Sequence, residues 1–551
     1  MALYVGLSFA NSPEGYLGTD TGGKVVTLQA IETRGSVGHL DVGYWAESWD
    51  PAGDLHGYWG TLQNDDGAWV QVTTVPLMLA ASPLWDAGGY RLTLVLPMLG
   101  GALCALAARS LTRRLSGDEA AQELAFWATG LAGPVLLYAL DLWEHTLGLA
   151  AMAWACVLLA AAAEGETTAR RVVTFAAGAG LLWGVAFSMR TEALLYGAFV
   201  TAAVCLWLAT RRRIGGALLV GAASAVGVAV GVVGNSMLER AVLGGTLRAG
   251  RASGTAGGFG TQPGTRLREG LITTFGLDAG TTGVVLGVVA VLALGLLVRR
   301  AAKPGWKVDR PDVTLGALAV VPVVLGFMSG LAFIPGMLIA SPLAVAGLVL
   351  GLGGRAADGG ATNDRSRLPA RVLALAAVAA LPAVWAFQYV GGAGPQWGGR
   401  YVLLSAFLLT VVGALRLASV DIVVRRIVVA AAVLVTAFGF TWMVVRTNGF
   451  ASAGHELAAI DEPVLIAKDS AGFLPREFVA ENGDRRWLAT LGNAELERAV
   501  DIVGQAGFRR FGLVVIAGSD TPDHVGGMHR VDTTRIEIVS GASIDVVRYE
   551  R

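Results

Sequence analysis

The chain reads as an α-helical polytopic membrane protein of about 12–13 spans, with a large first extracytoplasmic loop and a small C-terminal extracytoplasmic α/β domain. Three observations predict this. Of 551 residues, 54% are hydrophobic and only 15% charged, with mean hydropathy +0.58; a soluble domain carries about 25% charged residues. Apolar runs long enough for a hydrocarbon layer of about 30 Å recur along the chain. Basic residues gather in alternate connections between those runs. The same composition excludes intrinsic disorder, which needs low hydrophobicity and high net charge. Forty-two basic residues balance 42 acidic ones, so a nucleic-acid partner finds no electrostatic footprint. Glycine, 75 of 551, suits close helix packing in lipid. Cys104, Cys156 and Cys205 all lie in apolar runs and read as small buried hydrophobes, with neither disulfide nor metal spacing.

Spans are expected near 90–108, 121–140, 143–163, 172–189, 191–209, 214–234, 281–298, 313–330, 333–353, 371–389, 401–415 and 424–445. Met1–Ala10 is apolar but too short to cross. It reads as the outer half of a first span that begins before this sequence. With the loop after it placed outside, the six inner loops carry 20 basic residues and the outer connections 9, as the positive-inside rule requires in a plasma membrane. Three outer masses follow: residues 11–89, which are acidic and aromatic; residues 235–280, rich in Gly, Thr and Arg and read as mobile; and the tail, residues 447–551. Strand-like runs at Val464–Lys468, Leu513–Ala517, Ile536–Val539 and Ile544–Arg548, with a helix-like run at Asn493–Gln505, make the tail a small α/β domain.

Four constellations could carry chemistry. Asp20 closely follows the first apolar segment, among Gly18, Gly22 and Gly23. Local sequence reads as a flexible turn, or as an acid placed to meet a lipid headgroup. Lys24 is close by. Tyr44, Trp45, Trp49, Tyr58, Trp59 and Trp69 follow, as an interfacial belt or as sugar-stacking rings. Asp141, Glu144 and His145 would share a helical face at an outer mouth, either as a solvated loop or as a functional site; two candidate metal ligands there lack a third. Arg190 and Glu192 form an ion pair, or Arg190 grips a phosphate. Arg400, in the segment Gly394–Tyr401, is a second phosphate candidate. The Gly-rich Gly254–Gly260 stretch reads as a linker or lid. No dinucleotide fingerprint stands in a strand–loop–helix context.

These features, in this order, resemble the GT-C superfamily of integral-membrane glycosyltransferases, which includes protein O-mannosyltransferases and the aminoarabinose transferases of lipid A. The resemblance lies in YLGTDTGGK, the Pro-bearing VTTVPLMLAASPLW, LAARSLTRRL, PVLLYALDLWEHTLGLAAMAWA, SMRTEALLYG and QWGGRYVLL, and covers roughly residues 1–445. It implies a polyprenyl-phosphate-linked sugar donor and a glycan, lipid or protein acceptor outside the membrane. Asp20 would be the catalytic base, Glu144 and His145 would help hold substrate, and Arg190 and Arg400 would hold the donor phosphate, with Lys24 and Asp141 further substrate-binding candidates. The resemblance fixes no cofactor and admits a divalent metal. The competing readings are a transporter or flippase and a polymerase of lipid-linked glycans.

Overall fold

A computed structural model describes residues 1–35, 40–164, 168–245, 260–353, 368–388 and 396–551. Each of the twelve apolar runs is helical. Nine of these helices, among the described residues, are long and apolar enough to cross a membrane: Val95–Leu115, His145–Ala163, Ala169–Met189, Ala193–Thr210, Ile214–Leu243, Thr281–Ala301, Arg310–Met328, Ala370–Phe387 and Ile422–Ala458. The other three runs are short or broken. Glu119–Leu131 is interrupted before Pro134–Tyr138, Met337–Ala340 is separated by a bend from Pro342–Leu352, and Leu403–Leu417 has only 15 residues.

The parity of crossings decides what the short helices do. The first long loop and the tail touch: Trp45 Nε1 donates to the Trp487 carbonyl at 2.9 Å, and Ala489 N donates to the Leu55 carbonyl at 3.0 Å. Both therefore lie on one side, and the chain between them crosses an even number of times. Nine crossings would separate them, so an odd number of the short helices must also span. Twelve satisfies parity and the distribution of basic residues alike.

The tail forms a six-stranded sheet in the order β4-β3-β5-β8-β7-β6, after a hairpin of β1 (Thr61–Gln63) and β2 (Trp69–Gln71) in the first loop. β3 (Val464–Lys468) runs parallel to β4 (Arg486–Thr490) and to β5 (Arg510–Ile516); β8 (Ala542–Glu550), β7 (Met528–Val539) and β6 (His524–Val525) add antiparallel. The Gly492–Gln505 helix connects β4 to β5. β3 was legible residue for residue, whereas β4 and β6 had no separate expectation. The last spanning helix continues to Ala458 before the sheet begins.

Several local expectations change. The glycines around Asp20 do not make a turn: Thr19–Arg34 is a helix capped by extended Gly18. Asp141, Glu144 and His145 do not share a helical face, because residues 139–144 form the turn that precedes the His145–Ala163 helix. The aromatics of the first loop do not form a membrane belt as a group. Tyr44 and Trp69 are buried in one core with Val464, Ile466, Leu488 and Phe511 of the sheet domain. Residues 235–280 are not wholly loop, since helices run to Leu243 and over Pro263–Phe275. Gly254–Phe259, Gly394 and Pro395 lie outside the described residues. Cys104 and Cys156 are buried and Cys205 partly so, all as free thiols.

Small residues bring two spans into backbone contact. A Cβ added at Gly180 would fall 2.0 Å from the Ser224 carbonyl oxygen, and one at Gly184 2.7 Å from the Gly231 Cα. Gly180 and Gly184 thus face Gly227 and Gly231, both pairs spaced as small-xxx-small packing requires. Gly184→Leu should overpack this seam, cost about 1–3 kcal/mol, and lower the melting temperature of the purified protein; an unchanged melting curve would show the seam to be loose. With the three native cysteines replaced, single cysteines at Asp54 and Asp520 should react with an impermeant maleimide from the same side of sealed vesicles. Labelling from opposite sides would break the parity argument.

Candidate active site

Arg400 is placed by its backbone. Gly398 and Gly399 have φ of 71° and 67°, a region an L side chain strains to enter. Gly398 N donates to the Pro335 carbonyl (2.8 Å), and the Tyr138 hydroxyl donates to the Trp397 carbonyl (2.9 Å). This tight turn directs Arg400 to Asp20: Nη1 donates to the carboxylate at 2.6 Å. Asp20 occupies the first turn of its helix, where the helix dipole favours an anion. The helix can reach this depth because Gly22 lies directly against the Arg476 carbonyl, 1.8 Å from where a Cβ would stand.

The remaining candidates close around this pair. Lys24 Nζ pairs with Glu144 at 3.0 Å and also donates to the Asp20 carbonyl at 3.1 Å. Arg190 spends its donors within the protein: Nε on Glu192 (2.8 Å), Nη1 against His145 Nε2 (2.8 Å) and Nη2 towards the Arg400 carbonyl (3.5 Å). The local Arg190–Glu192 ion pair is present, and it is buried. Tyr401 lies under both guanidinium groups, 5.1 Å from Arg190 and 4.9 Å from Arg400, within cation–π range. His145 stacks on Tyr138 with ring centroids 4.8 Å apart. Asp141 accepts hydrogen bonds from Thr21 (2.6 Å) and Tyr90 (2.5 Å), and its burial pushes the carboxyl pKa upward. Through these bonds it ties the helix bearing Asp20 to Tyr90.

Access separates the acids. The Asp20 side chain is 37% exposed, against 8% for Glu144 and 6% for Glu192. Enclosure by the protein would raise the Asp20 pKa, but Arg400, then Lys24 and Arg476, outweigh it and hold the carboxyl well below the usual range. Asp20 is therefore an ionised carboxylate that an incoming molecule can touch. Arg476, from the short Leu474–Glu477 helix of the sheet domain, is the functional candidate that sequence reasoning missed. Its only signal is a charged pair inside FLPREFV, which local patterning reads as ordinary surface helix. Outside this site, Glu14, His455 and Glu481 bring ligand atoms within 4.8 Å of one another among the described residues.

Glu144→Gln should leave buried Lys24 without its counter-charge, cost about 3 kcal/mol, and lower the melting temperature. The Lys24→Met/Glu144→Leu double variant should recover most of the loss, since replacing both members of a buried pair is close to neutral. A double variant no better than Glu144→Gln would refute the pairing.

No protein-family model matches the chain, and no curated protein does. Among solved structures it matches the oligosaccharyltransferase of Archaeoglobus fulgidus in the apo form at 12% identity and TM-score 0.45, over 94% of this chain and 69% of that one. It also matches ArnT from Cupriavidus metallidurans, in the apo state at 12% identity and TM-score 0.39, and bound to undecaprenyl phosphate at 13% and 0.43, each over 99% of this chain and 96% of that one.

Proposed function

We propose that the protein is a GT-C-type membrane glycosyltransferase that moves a sugar from a polyprenyl-phosphate donor to an acceptor on the outer side of the plasma membrane. The observation that carries this reading is the accessible Asp20 carboxylate held by Arg400 at 2.6 Å, ringed by Lys24, Glu144, His145 and Arg190 on the face that bears the sheet domain. In the reaction the acceptor hydroxyl oxygen attacks the anomeric carbon, and its proton passes to Asp20. The bond from that carbon to the phosphate oxygen breaks, and the polyprenyl phosphate leaves carrying the charge, which Arg400 stabilises. Arg190, paired with Glu192 and set against His145, holds His145 in place.

The ion pair couples binding to basicity. A carboxylate locked to a guanidinium is a poor base. A donor phosphate competing for Arg400 would draw it off Asp20, and the carboxyl pKa would rise toward the range useful for proton transfer. An apolar cavity of about 170 Å³, lined by Leu294, Val323, Phe327, Leu338, Ile339 and Val435 among others, supports a lipid donor. Its Leu338 and Ile339 follow Pro335, whose carbonyl anchors the turn that bears Arg400.

Asp20→Asn should lower transfer from a polyprenyl-phospho-sugar by about a hundredfold or more while membrane insertion holds. Activity equal to wild type would remove Asp20 from the mechanism. Arg400→Gln should raise the donor KM and move the acid limb of the kcat/KM–pH profile to higher pH. Without the guanidinium, the pKa of Asp20 is no longer depressed, and protonation as pH falls removes the base sooner. An unmoved limb would uncouple the pair from the chemistry.

A further inference from the structure

Arg476 differs from the other cations of the site. Lys24, Arg190 and Arg400 each meet a carboxylate, at 3.0, 2.8 and 2.6 Å. Arg476 meets none among the described residues, and the adjacent Glu477 is turned to Arg446 at 3.0 Å. The residue is 4% exposed, yet its Nε and Nη2 have no hydrogen-bond partner. Its Nη1 reaches Gln71 Oε1 only at 3.5 Å, the outer limit of such a bond. A buried guanidinium without an anion is costly, and here two donors of its planar fork remain unused. A carboxylate or phosphate would fill that fork.

The surroundings indicate where such an anion comes from. Arg476 acts electrostatically on Asp20, and its Nη1 lies against Gly23, 3.2 Å from where a Cβ there would stand. It therefore borders the same pocket. The Trp59 ring lies over the guanidinium at 5.3 Å and meets Phe473 edge-on at 5.1 Å. Both rings are exposed, by 44% and 41%. They form an aromatic ledge contributed by the first loop and the sheet domain, whereas the apolar cavity is lined by spanning helices. A ligand crossing this ledge arrives from water; a polyprenyl chain arrives from the bilayer.

We propose that Arg476 binds an anionic oxygen of the acceptor, a carboxylate or a phosphate, while Trp59 and Phe473 support the acceptor beside it. The sheet domain is then a working wall of the acceptor site. This deepens the reading of Asp20 as the base and rests on it.

The test uses the full chain in detergent, with the donor site first saturated with undecaprenyl phosphate. Inorganic phosphate and acetate are then titrated against wild type, Arg476→Gln and Arg476→Lys, read by melting temperature. Wild type should show saturable stabilisation by at least one of the two anions. Arg476→Gln should weaken it about tenfold or more, and Arg476→Lys, which keeps the charge but loses the fork, by less. Affinity for undecaprenyl phosphate should stay within about twofold in all three. Without ligand, Arg476→Gln should melt no lower than wild type, because it removes an uncompensated buried charge. Anion binding unchanged in Arg476→Gln overturns the proposal. So does a loss of undecaprenyl phosphate affinity in that variant, which would give the anion to the donor, or a lower melting temperature without ligand, which would make Arg476 structural. Wild type that ignores undecaprenyl phosphate overturns the donor assignment instead, and the comparison of variants with anions still reads Arg476.

Discussion

The charge of Asp20, enclosed by the protein, is held chiefly by Arg400, 380 residues away. The same constraint governs the neighbouring acids: Glu144 takes Lys24, and Glu192 takes Arg190. Each pair offsets the cost of removing its members from water, and two of the three join segments far apart in the chain. Those two hold the first loop against the turn bearing Glu144 and the segment before a late span. Pairing thus sets the geometry of the site as well as its stability. Asp20 alone among these acids retains enough exposure to meet a substrate.

The interrupted helices follow from the same need. Pro134–Tyr138 leads into the turn that presents Asp141 and Glu144. The bend at Ser341 lies just beyond the residues whose backbone binds the Arg400 turn, and the 15-residue Leu403–Leu417 helix begins three residues after Arg400. Irregular backbone at this depth is tolerated where protein encloses it, and Pro134 packs against Gly398 at the centre of the assembly. Spans are shortened or broken where backbone is diverted to place charge.

Most of the architecture was legible in the sequence, because burial in lipid imposes a long apolar run. The strand Val464–Lys468 was legible for a related reason: a central strand covered on both faces is apolar throughout. Asp20, Glu144, His145, Arg190 and Arg400 stood out as ionisable residues at the ends of apolar runs, and the structure brings them together. What local pattern could not supply was partnership. The glycines after Asp20 look like turn chemistry, but they are a helix face worn flat for the sheet domain. The tryptophans and tyrosines of the first loop look like an interfacial belt, yet Tyr44 and Trp69 fill a core completed some 400 residues later. Arg476 gave no sign, since what sets it apart is that no carboxylate among the described residues pairs with it.

That shared core has a consequence for biogenesis. Tyr44, Leu55 and Trp69 cannot complete their packing until β3 and β5 have been synthesised. At ordinary elongation rates the wait is on the order of tens of seconds. During it, the first loop stands with its aromatic side chains uncovered, a natural client for a chaperone. The segment around Asp20 likewise stays uncovered until the Leu474–Glu477 helix arrives to pack against Gly22.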